Sequence, residues 1–231
     1  TQQRGIAQYW AIKNDNPDAD PNAVGIGYVN GYGGLYQYQD HRDANGNWVL
    51  DNVSWREYLD PVEQTMRSGD TDWQKEILRT GQIQQYNVTL SSGTDSGNAL
   101  FALDYYDKDG TSKNSFFRRF NGRINTDYSW LDGRVKVGEN FTVSQWRNST
   151  NIGDGNLGGC KSLMSIVPVN TVDGEGWGGP IGGMSDRQNP ARLIEDYKQN
   201  HQDNLRLFGN AFINIEILKG LTIRSSFGVD F

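Results

Sequence analysis

The amino-acid sequence predicts an all-β protein in which antiparallel strands are joined by polar loops. From about residue 84 onward, apolar and polar residues alternate, which puts every second side chain on the same face of a strand. The 231 residues include 28 glycines and 12% aromatic residues, and Asp and Asn are frequent. These residue types favour turns and strands over helices. Short and long connections also alternate between the patterned segments.

The first 82 residues are polar and carry no sustained period, so we expect an irregular loop region that precedes the first long strand. Two short helices are predicted within it, over Ser54–Met66 and Asp72–Leu78. The carboxylate of Asp72 can accept backbone N–H groups of the first helical turn, which predicts it as the N-cap.

Four strands are predicted over residues 83–144, and a long connection without strand period follows over residues 145–203. Residues 204–231 then alternate again and predict two more strands, for a total of about six. The turns at 93–97, 130–133 and 218–220 are short, whereas the connection at 108–117 is of medium length and that at 145–203 is very long.

The strands have about 9–14 patterned residues, and a tilted strand that crosses a bilayer needs about 9–11. Short turns on one side and long loops on the other are typical of outer-membrane barrels. A soluble β-sandwich also alternates apolar and polar residues, so it stays open as an alternative. The pattern favours part of an antiparallel transmembrane β-barrel with long extracellular loops.

The two-residue period predicts which side chains share a face. The outward, apolar face is expected to carry Val88, Leu90, Phe101, Leu103, Ile124, Val137, Phe141, Ile213, Ile215, Ile223 and Phe227. The lumenal, polar face is expected to carry Asn87, Asp104, Arg123, Asn125, Lys136, Asn210, Asn214 and Arg224. Glu139 departs from the pattern because it falls on the apolar face, where lipid penalises a charge. We therefore expect it near an interface, at a bulge or against a neighbouring element.

Composition and charge exclude several kinds of site. The net charge of −6 argues against a nucleic-acid surface. Cys160 is the single cysteine, which rules out an internal disulfide framework, and His41 and His201 are the only histidines, so a zinc site is not expected. No run of 18 apolar residues predicts a transmembrane helix. The chain begins at Thr1 without a signal sequence, so we expect a processed chain or a piece of a longer one.

No motif in the sequence predicts catalysis, a cofactor or a metal. The G-x-G-x-x-G motif at Gly153–Gly158 lacks the preceding strand and the βαβ context of a dinucleotide site. Asp43–Asn47 and Asp107–Gly110 resemble pieces of calcium loops, but they lack the glycine and glutamate positions of an EF-hand. Ordinary turns explain them better. We do not expect an enzyme.

Aromatic and basic residues supply the candidate binding positions. Tryptophans beside Asn and Asp suit sugar rings or peptide side chains, although each could instead pack its own loop. The candidates for ligand- or partner-facing loops are Trp48, Trp55 and Trp177. The candidates that face the lumen or an enclosed plug are Arg123, Asn125 and Arg224.

Several segments resemble a known family in order and spacing. They are Thr71–Thr80, Gln85–Gly93, Tyr105–Gly110, Lys113–Phe120, Val135–Gly138, Asn189–Pro190, Leu207–Asn210 and Ile215–Leu221. Over residues 71–231 the chain resembles SusC/RagA-type TonB-linked outer-membrane transporters, and residues 1–70 fit only as a variable outer loop.

The resemblance implies TonB-dependent import of oligosaccharides, glycans or peptides across a bacterial outer membrane. It implies a SusD-like surface lipoprotein as partner, TonB contact through parts absent from this chain, and contact with outer-membrane lipid. Six strands are fewer than the eight of the smallest single-chain barrels, so a piece of a longer protein is expected. The alternative is a soluble or surface β-rich module for glycan binding or adhesion, with a secreted hydrolase third.

Overall fold

The computed structural model describes residues 1–150, 154–184 and 188–231, so Gly153 of the glycine motif lies outside the described residues. The chain forms two compact units, Thr1–Leu78 with Gly153–Asp196, and Arg79–Ile152 with Tyr197–Phe231. Its elements are α1 (Gln2–Asp15), β1 (Tyr36–Arg42), β2 (Trp48–Trp55), α2 (Trp73–Ile77), β3 (Gln82–Thr94), β4 (Gly97–Asp109), β5 (Phe116–Trp130), β6 (Val135–Ser149), α3 (Asp154–Ser162), α4 (Pro190–Asp196), β7 (His201–Leu218) and β8 (Leu221–Asp230).

The second unit is one antiparallel sheet whose six strands pair in chain order from β3 to β8. β3 and β8 each pair on one side only within the described residues, so the sheet is open there. Successive antiparallel pairing sends alternate connections to opposite ends of the sheet. The short turns between β3 and β4, β5 and β6, and β7 and β8 therefore lie at one end. Mostly β-structure with antiparallel pairing confirms the coarser part of the predicted fold class.

The pairing register confirms the predicted division into two faces. Leu90 pairs with Phe101, Phe101 with Ile124, and Ile124 with Phe141, so these apolar side chains form one row. Asn87, paired with Asp104, belongs to the opposite face. Following the register through β8 puts all eleven predicted apolar residues on one face and all eight predicted polar residues on the other.

The first unit contains more regular structure than the sequence predicts for residues 1–82. β1 and β2 form an antiparallel hairpin, and α1 precedes it. The helix predicted over Ser54–Met66 is wrong, because residues 54 and 55 end β2 and no helix follows before α2. The alternation in Tyr36–Arg42 is a strand signal, and the Asp43–Asn47 turn closes the hairpin.

The predicted N-cap is confirmed, since the Asp72 carboxylate accepts the backbone N–H groups of Gln74 and Lys75 at 3.2 and 3.3 Å.

α2 then places Trp73 in an aromatic-rich core that brings the two parts of the first unit together. The Trp73 indole N–H donates to the Met164 carbonyl at 3.2 Å. The buried members of this core are Tyr9, Leu35, Tyr36, Tyr38, Val53, Leu59, Trp73, Leu163, Met164, Ile166 and Val167.

Backbone and side-chain hydrogen bonds fasten the same two segments. The Gly69 N–H donates to the Ile166 carbonyl at 2.8 Å, and the Thr71 hydroxyl donates to the Val167 carbonyl at 2.7 Å. The segments before β3 and after β6 thus share one core. None of the helices within the described ranges is long and apolar enough to cross a membrane.

Candidate functional site: the two faces of the sheet

The apolar face of the second unit is open to its surroundings. Leu90, Phe101 and Ile124, on the neighbouring strands β3, β4 and β5, are 63%, 42% and 40% exposed, and Phe227 on the same face of β8 is 76% exposed, although all four are large apolar side chains. A water-soluble protein seldom leaves so continuous an apolar surface uncovered.

Aromatic rings bound this apolar face at both ends. Tyr86 and Tyr105 stack with ring centroids 6.5 Å apart at the end with the long connections. Tyr128 and Trp130 stack at 6.1 Å near the short turns. On β5, Phe120 and Tyr128 are eight residues apart, about 26 Å along the strand. At a barrel strand's tilt of about 40°, these two residues are about 20 Å apart along the barrel axis, which is close to the height of about 25 Å of the apolar band of outer-membrane barrels.

A row of charged residues lies one pair beyond the aromatic rings at the long-connection end of the same face. Asp107 pairs in register with Arg118, Arg118 with Arg147, and Arg147 with Asp203. Two of these pairs are ion pairs. Arg118 Nε lies 3.3 Å from the Asp107 carboxylate, and Arg147 Nη2 lies 2.9 Å from the Asp203 carboxylate. The predicted apolar set does not include this row, which marks where the apolar surface ends.

The polar face carries a network of hydrogen bonds centred on Asp104. Its carboxylate accepts from Gln85 Nε2 at 3.0 Å, Asn121 Nδ2 at 3.0 Å and Arg119 Nη2 at 3.3 Å. These groups come from three adjacent strands, so the network ties β3, β4 and β5 together on one face. A concavity of about 570 Å³ lies over it, lined in addition by Phe117 and Trp146.

The predicted lumen-facing residues differ from their charged neighbours in having no acidic partner. Arg123 Nε donates to Asn125 Oδ1 at 3.2 Å, and the Arg224 guanidinium lies 4.5 Å from the centre of the Phe212 ring. Within the described part of the chain, neither arginine forms an ion pair. By contrast, Arg206 binds both carboxylate oxygens of Asp230, at 2.9 and 2.8 Å.

Phe212 shows why a glycine is needed on this face. It pairs with Gly138 across β6 and β7. A Cβ built on Gly138 would lie 2.5 Å from the Phe212 ring, so glycine lets this ring, which also lies beside Arg224, approach β6 this closely. The sequence alone does not reveal this pair, because strand register is a long-range property.

The candidate tryptophans occupy different surroundings in the first unit. The Trp48 indole N–H donates to the Pro17 carbonyl at 2.8 Å, and Lys13 Nζ lies 3.5 Å from its ring centre. Trp48 therefore packs against the end of α1 and the segment that follows it. Trp55 is 36% exposed at the end of β2, and Trp177 is half-buried. The structure does not bring these three rings into one described cavity.

The acidic motifs form turns and ion pairs. The Asp43 carboxylate accepts the backbone N–H groups of Asn45 and Asn47 at 2.9 and 2.8 Å, and these bonds lower the pKa of Asp43. Asp109 pairs with Arg79 at 3.3 Å. Within the described residues, no three His, Cys, Asp or Glu side chains cluster as a metal site.

An antiparallel sheet with an exposed apolar face, aromatic rings at both ends and a charged opposite face has the construction of a transmembrane β-barrel wall. The class of protein to which this arrangement points is an outer-membrane β-barrel, of which this sheet would be one part.

Two curated relatives of the chain are TonB-dependent receptors. The chain is 28% identical over 192 residues to TonB-dependent receptor P3 of Formosa agariphila. The matched region covers 78% of this chain and 19% of the receptor. It is 26% identical over 126 residues to TonB-dependent receptor SusC of Bacteroides thetaiotaomicron, which covers 52% of this chain and 13% of that protein. No family model matches the chain.

Solved structures show the same fold. The RagAB peptide transporter matches 70% of this chain and 19% of its own chain, with a TM-score of 0.53 and 20% identity. The RagAB peptide importer in its open-open state matches 74% of this chain and 20% of its own, with a TM-score of 0.54 and 19% identity.

These comparisons confirm the resemblance to SusC/RagA-type TonB-dependent receptors that the sequence predicts. The chain spans about a fifth or less of the length of the relatives that it matches.

Proposed function

We propose that this chain is part of the barrel wall and outer loops of a TonB-dependent outer-membrane transporter that imports oligosaccharide, glycan or peptide nutrients. The observation that carries the proposal is the open apolar face bounded by aromatic rings, since lipid is the environment that accepts it. The similarity to TonB-dependent receptors supports the proposal independently. We assign the chain no enzymatic activity, cofactor or metal.

The alternative, a soluble or surface module for glycan binding or adhesion, accounts less well for this face. Such a module would need a second layer over Leu90, Phe101, Ile124 and Phe227. The described residues of the second unit, which leave these side chains exposed, do not supply one. Extraction distinguishes the two proposals: the receptor that contains this chain should stay in the outer-membrane fraction after a carbonate wash and require detergent, whereas an adhesion module should be released.

We place the segments 1–82, 108–117 and 145–203 outside the cell and the short turns in the periplasm. Long loops on the outer side are the rule for such barrels. Protease added to intact cells should cut within 145–203 and leave the turns at 93–97, 130–133 and 218–220 intact. Cleavage confined to those turns would reverse this orientation.

Partner binding is proposed from the same orientation. Outer loops that contain Trp48, Trp55 and Trp177 would face a SusD-like lipoprotein or the nutrient, because long loops are free to carry recognition. Arg123 and Arg224, with Asn125, would face a plug enclosed by the barrel. The absence of an acidic partner for both arginines among the described residues supports this role, since a charge on an enclosed face favours a pairing group.

Uptake measurements in the source bacterium test the whole proposal. Deleting the receptor that contains this chain should abolish growth on one class of nutrient, and fluorescently labelled oligosaccharides and peptides, tested separately, identify that class. Deleting TonB should have the same effect, and affinity purification should recover a surface lipoprotein. Unchanged uptake of both classes after receptor deletion would refute the proposal.

A further inference from the structure

The apolar face contains one acidic side chain that the barrel wall does not explain. Glu139 pairs with Thr126 on β5 and Ala211 on β7, and its neighbours on the same face of β6 are Val137 and Phe141. Its side chain forms no hydrogen bond or ion pair within the residues that the structure describes. A carboxylate on a lipid-facing surface is expected to have a partner, because its desolvation is costly.

A groove of about 380 Å³ runs beside Glu139 on the same face. The groove is lined by the small residues Gly209 and Ala211, and its other lining residues include Phe141, Phe227 and Val229. A Cβ added to Gly209 would lie 2.6 Å from the Phe141 ring and 2.5 Å from the Asn140 carbonyl oxygen. Glycine is therefore needed for the ring and the strand to approach this closely.

The position of Glu139 along β6 sets its depth. It lies four residues from Val135, at the short-turn end, which is about 13 Å along the strand and about 10 Å in height at a tilt of about 40°. Trp130 pairs with Val135, and Tyr128 with Val137, so Glu139 lies one pair beyond the aromatic rings at that end. Aromatic rings of this kind mark the level of the lipid head groups.

We propose that Glu139 and this groove form a binding site for a phospholipid whose head group carries a primary ammonium. The ammonium would donate to the Glu139 carboxylate, and an acyl chain would lie along the groove over Gly209 and Ala211. This inference rests on the proposed function, because it requires the apolar face to be in lipid with the short turns in the periplasm.

Charge and shape together select this occupant. A primary ammonium supplies the positive charge and N–H donors that an unpaired carboxylate lacks, and a charge-assisted hydrogen bond is stronger than a neutral one. The rest of the groove is lined mainly by apolar and small residues, which suits a hydrocarbon chain. The groove extends from Glu139 toward Phe141, away from the short turns, as a chain pointing to the bilayer centre would.

Lipid exchange on the complete receptor tests the site. The receptor is reconstituted in nanodiscs that contain equal amounts of phosphatidylethanolamine and phosphatidylcholine, released, and weighed by native mass spectrometry. Both lipids are zwitterionic, but only the ethanolamine ammonium has N–H donors. The wild type should retain phosphatidylethanolamine about tenfold more than phosphatidylcholine, since one charge-assisted hydrogen bond distinguishes them.

Three variants separate the contributions. Glu139→Gln should reduce the preference to near unity, and Ala211→Leu, which fills the groove from a position that already carries a Cβ, should reduce retention of both lipids. Asp132→Asn, an equivalent loss of charge in the exposed turn between β5 and β6, should retain the wild-type preference.

Two results would overturn the inference. One is that the wild type and Glu139→Gln each retain phosphatidylethanolamine and phosphatidylcholine equally. The other is an altered oligomeric mass in Glu139→Gln with an unchanged lipid preference, which would assign the carboxylate to a protein contact. Normal uptake together with either result would refute the lipid site alone. A receptor that is absent from the outer membrane would refute the proposed function and the lipid site together.

Discussion

An arginine placed on either face of β4 at the same depth is the most direct test of the two-faced sheet. Phe101 and Leu100 are adjacent apolar residues that point to opposite faces. Phe101 pairs with Leu90 and Ile124 on the apolar face, whereas Leu100 pairs with Ser91 and Asn125 on the polar face. We predict that Phe101→Arg destabilises the receptor strongly and that Leu100→Arg does not.

The expected magnitude follows from the depth of Phe101. It lies four residues from Tyr105 at one end of the apolar face and four from Gly97 at the other, about 13 Å along the strand in each direction. This is near the middle of the band, where an outward-facing arginine costs about 2–4 kcal/mol. That corresponds to roughly a 30- to 700-fold shift in the folding equilibrium. At Leu100 we expect about 0.5 kcal/mol or less, as for an ordinary surface substitution.

The assay is urea-dependent unfolding of the complete receptor in lipid vesicles, followed by tryptophan fluorescence and by the fraction that resists heat-induced unfolding in gels. Folded receptor in outer-membrane fractions provides a second measurement in cells. Equal destabilisation by Phe101→Arg and Leu100→Arg, or a larger effect of the latter, would refute the assignment of the apolar face to lipid.

Three further predictions concern the first unit. Trp73→Phe leaves the Met164 carbonyl without its buried donor, so it should cost about 1–3 kcal/mol and increase hydrogen exchange there, whereas the exposed Trp10→Phe should not. Partial burial raises the pKa of Asp60, but hydrogen bonds from the Thr65 hydroxyl and from nearby backbone N–H groups outweigh it and lower the pKa overall. Ionised Asp60 therefore stabilises the unit above its ordinary pKa of about 3.9, and this stability is lost as the pH falls through the lower folded-state value; thermal unfolding of Asp60→Asn should lack this acid-dependent component. Trp177→Ala should reduce uptake or co-purification of the lipoprotein, with receptor level as the control; unchanged values would leave Trp177 as a packing residue.

Most of the candidate site on the sheet could be predicted from the sequence, because each strand carries its own face assignment. Arg123, Asn125 and Arg224 fall on the polar face in both the pattern and the register. Their differing surroundings could not be predicted. That Arg206 pairs with Asp230 while Arg224 lies over Phe212 depends on which residues of β7 and β8 stand opposite each other.

The tryptophans show the opposite case. Their residue type and polar neighbours are compatible with both binding and packing, and no period distinguishes the two. Trp48 packs against Lys13 and the Pro17 carbonyl, which lie more than thirty positions earlier in the sequence. Only such contacts distinguish a tryptophan that packs against its own chain from one whose ring is free to bind a ligand or a partner protein.

The sequence by itself determined the alternation of the six strands, the residues on each of their faces and the order of short and long connections. These are local properties, since a two-residue period needs only neighbouring positions. The tertiary structure decided that residues 1–78 share one core with the segment around Leu163 to Val167, in which the Trp73 indole meets the Met164 carbonyl. The physical reason is that this core comes from contacts between segments about ninety residues apart, and non-local packing leaves no period in either segment.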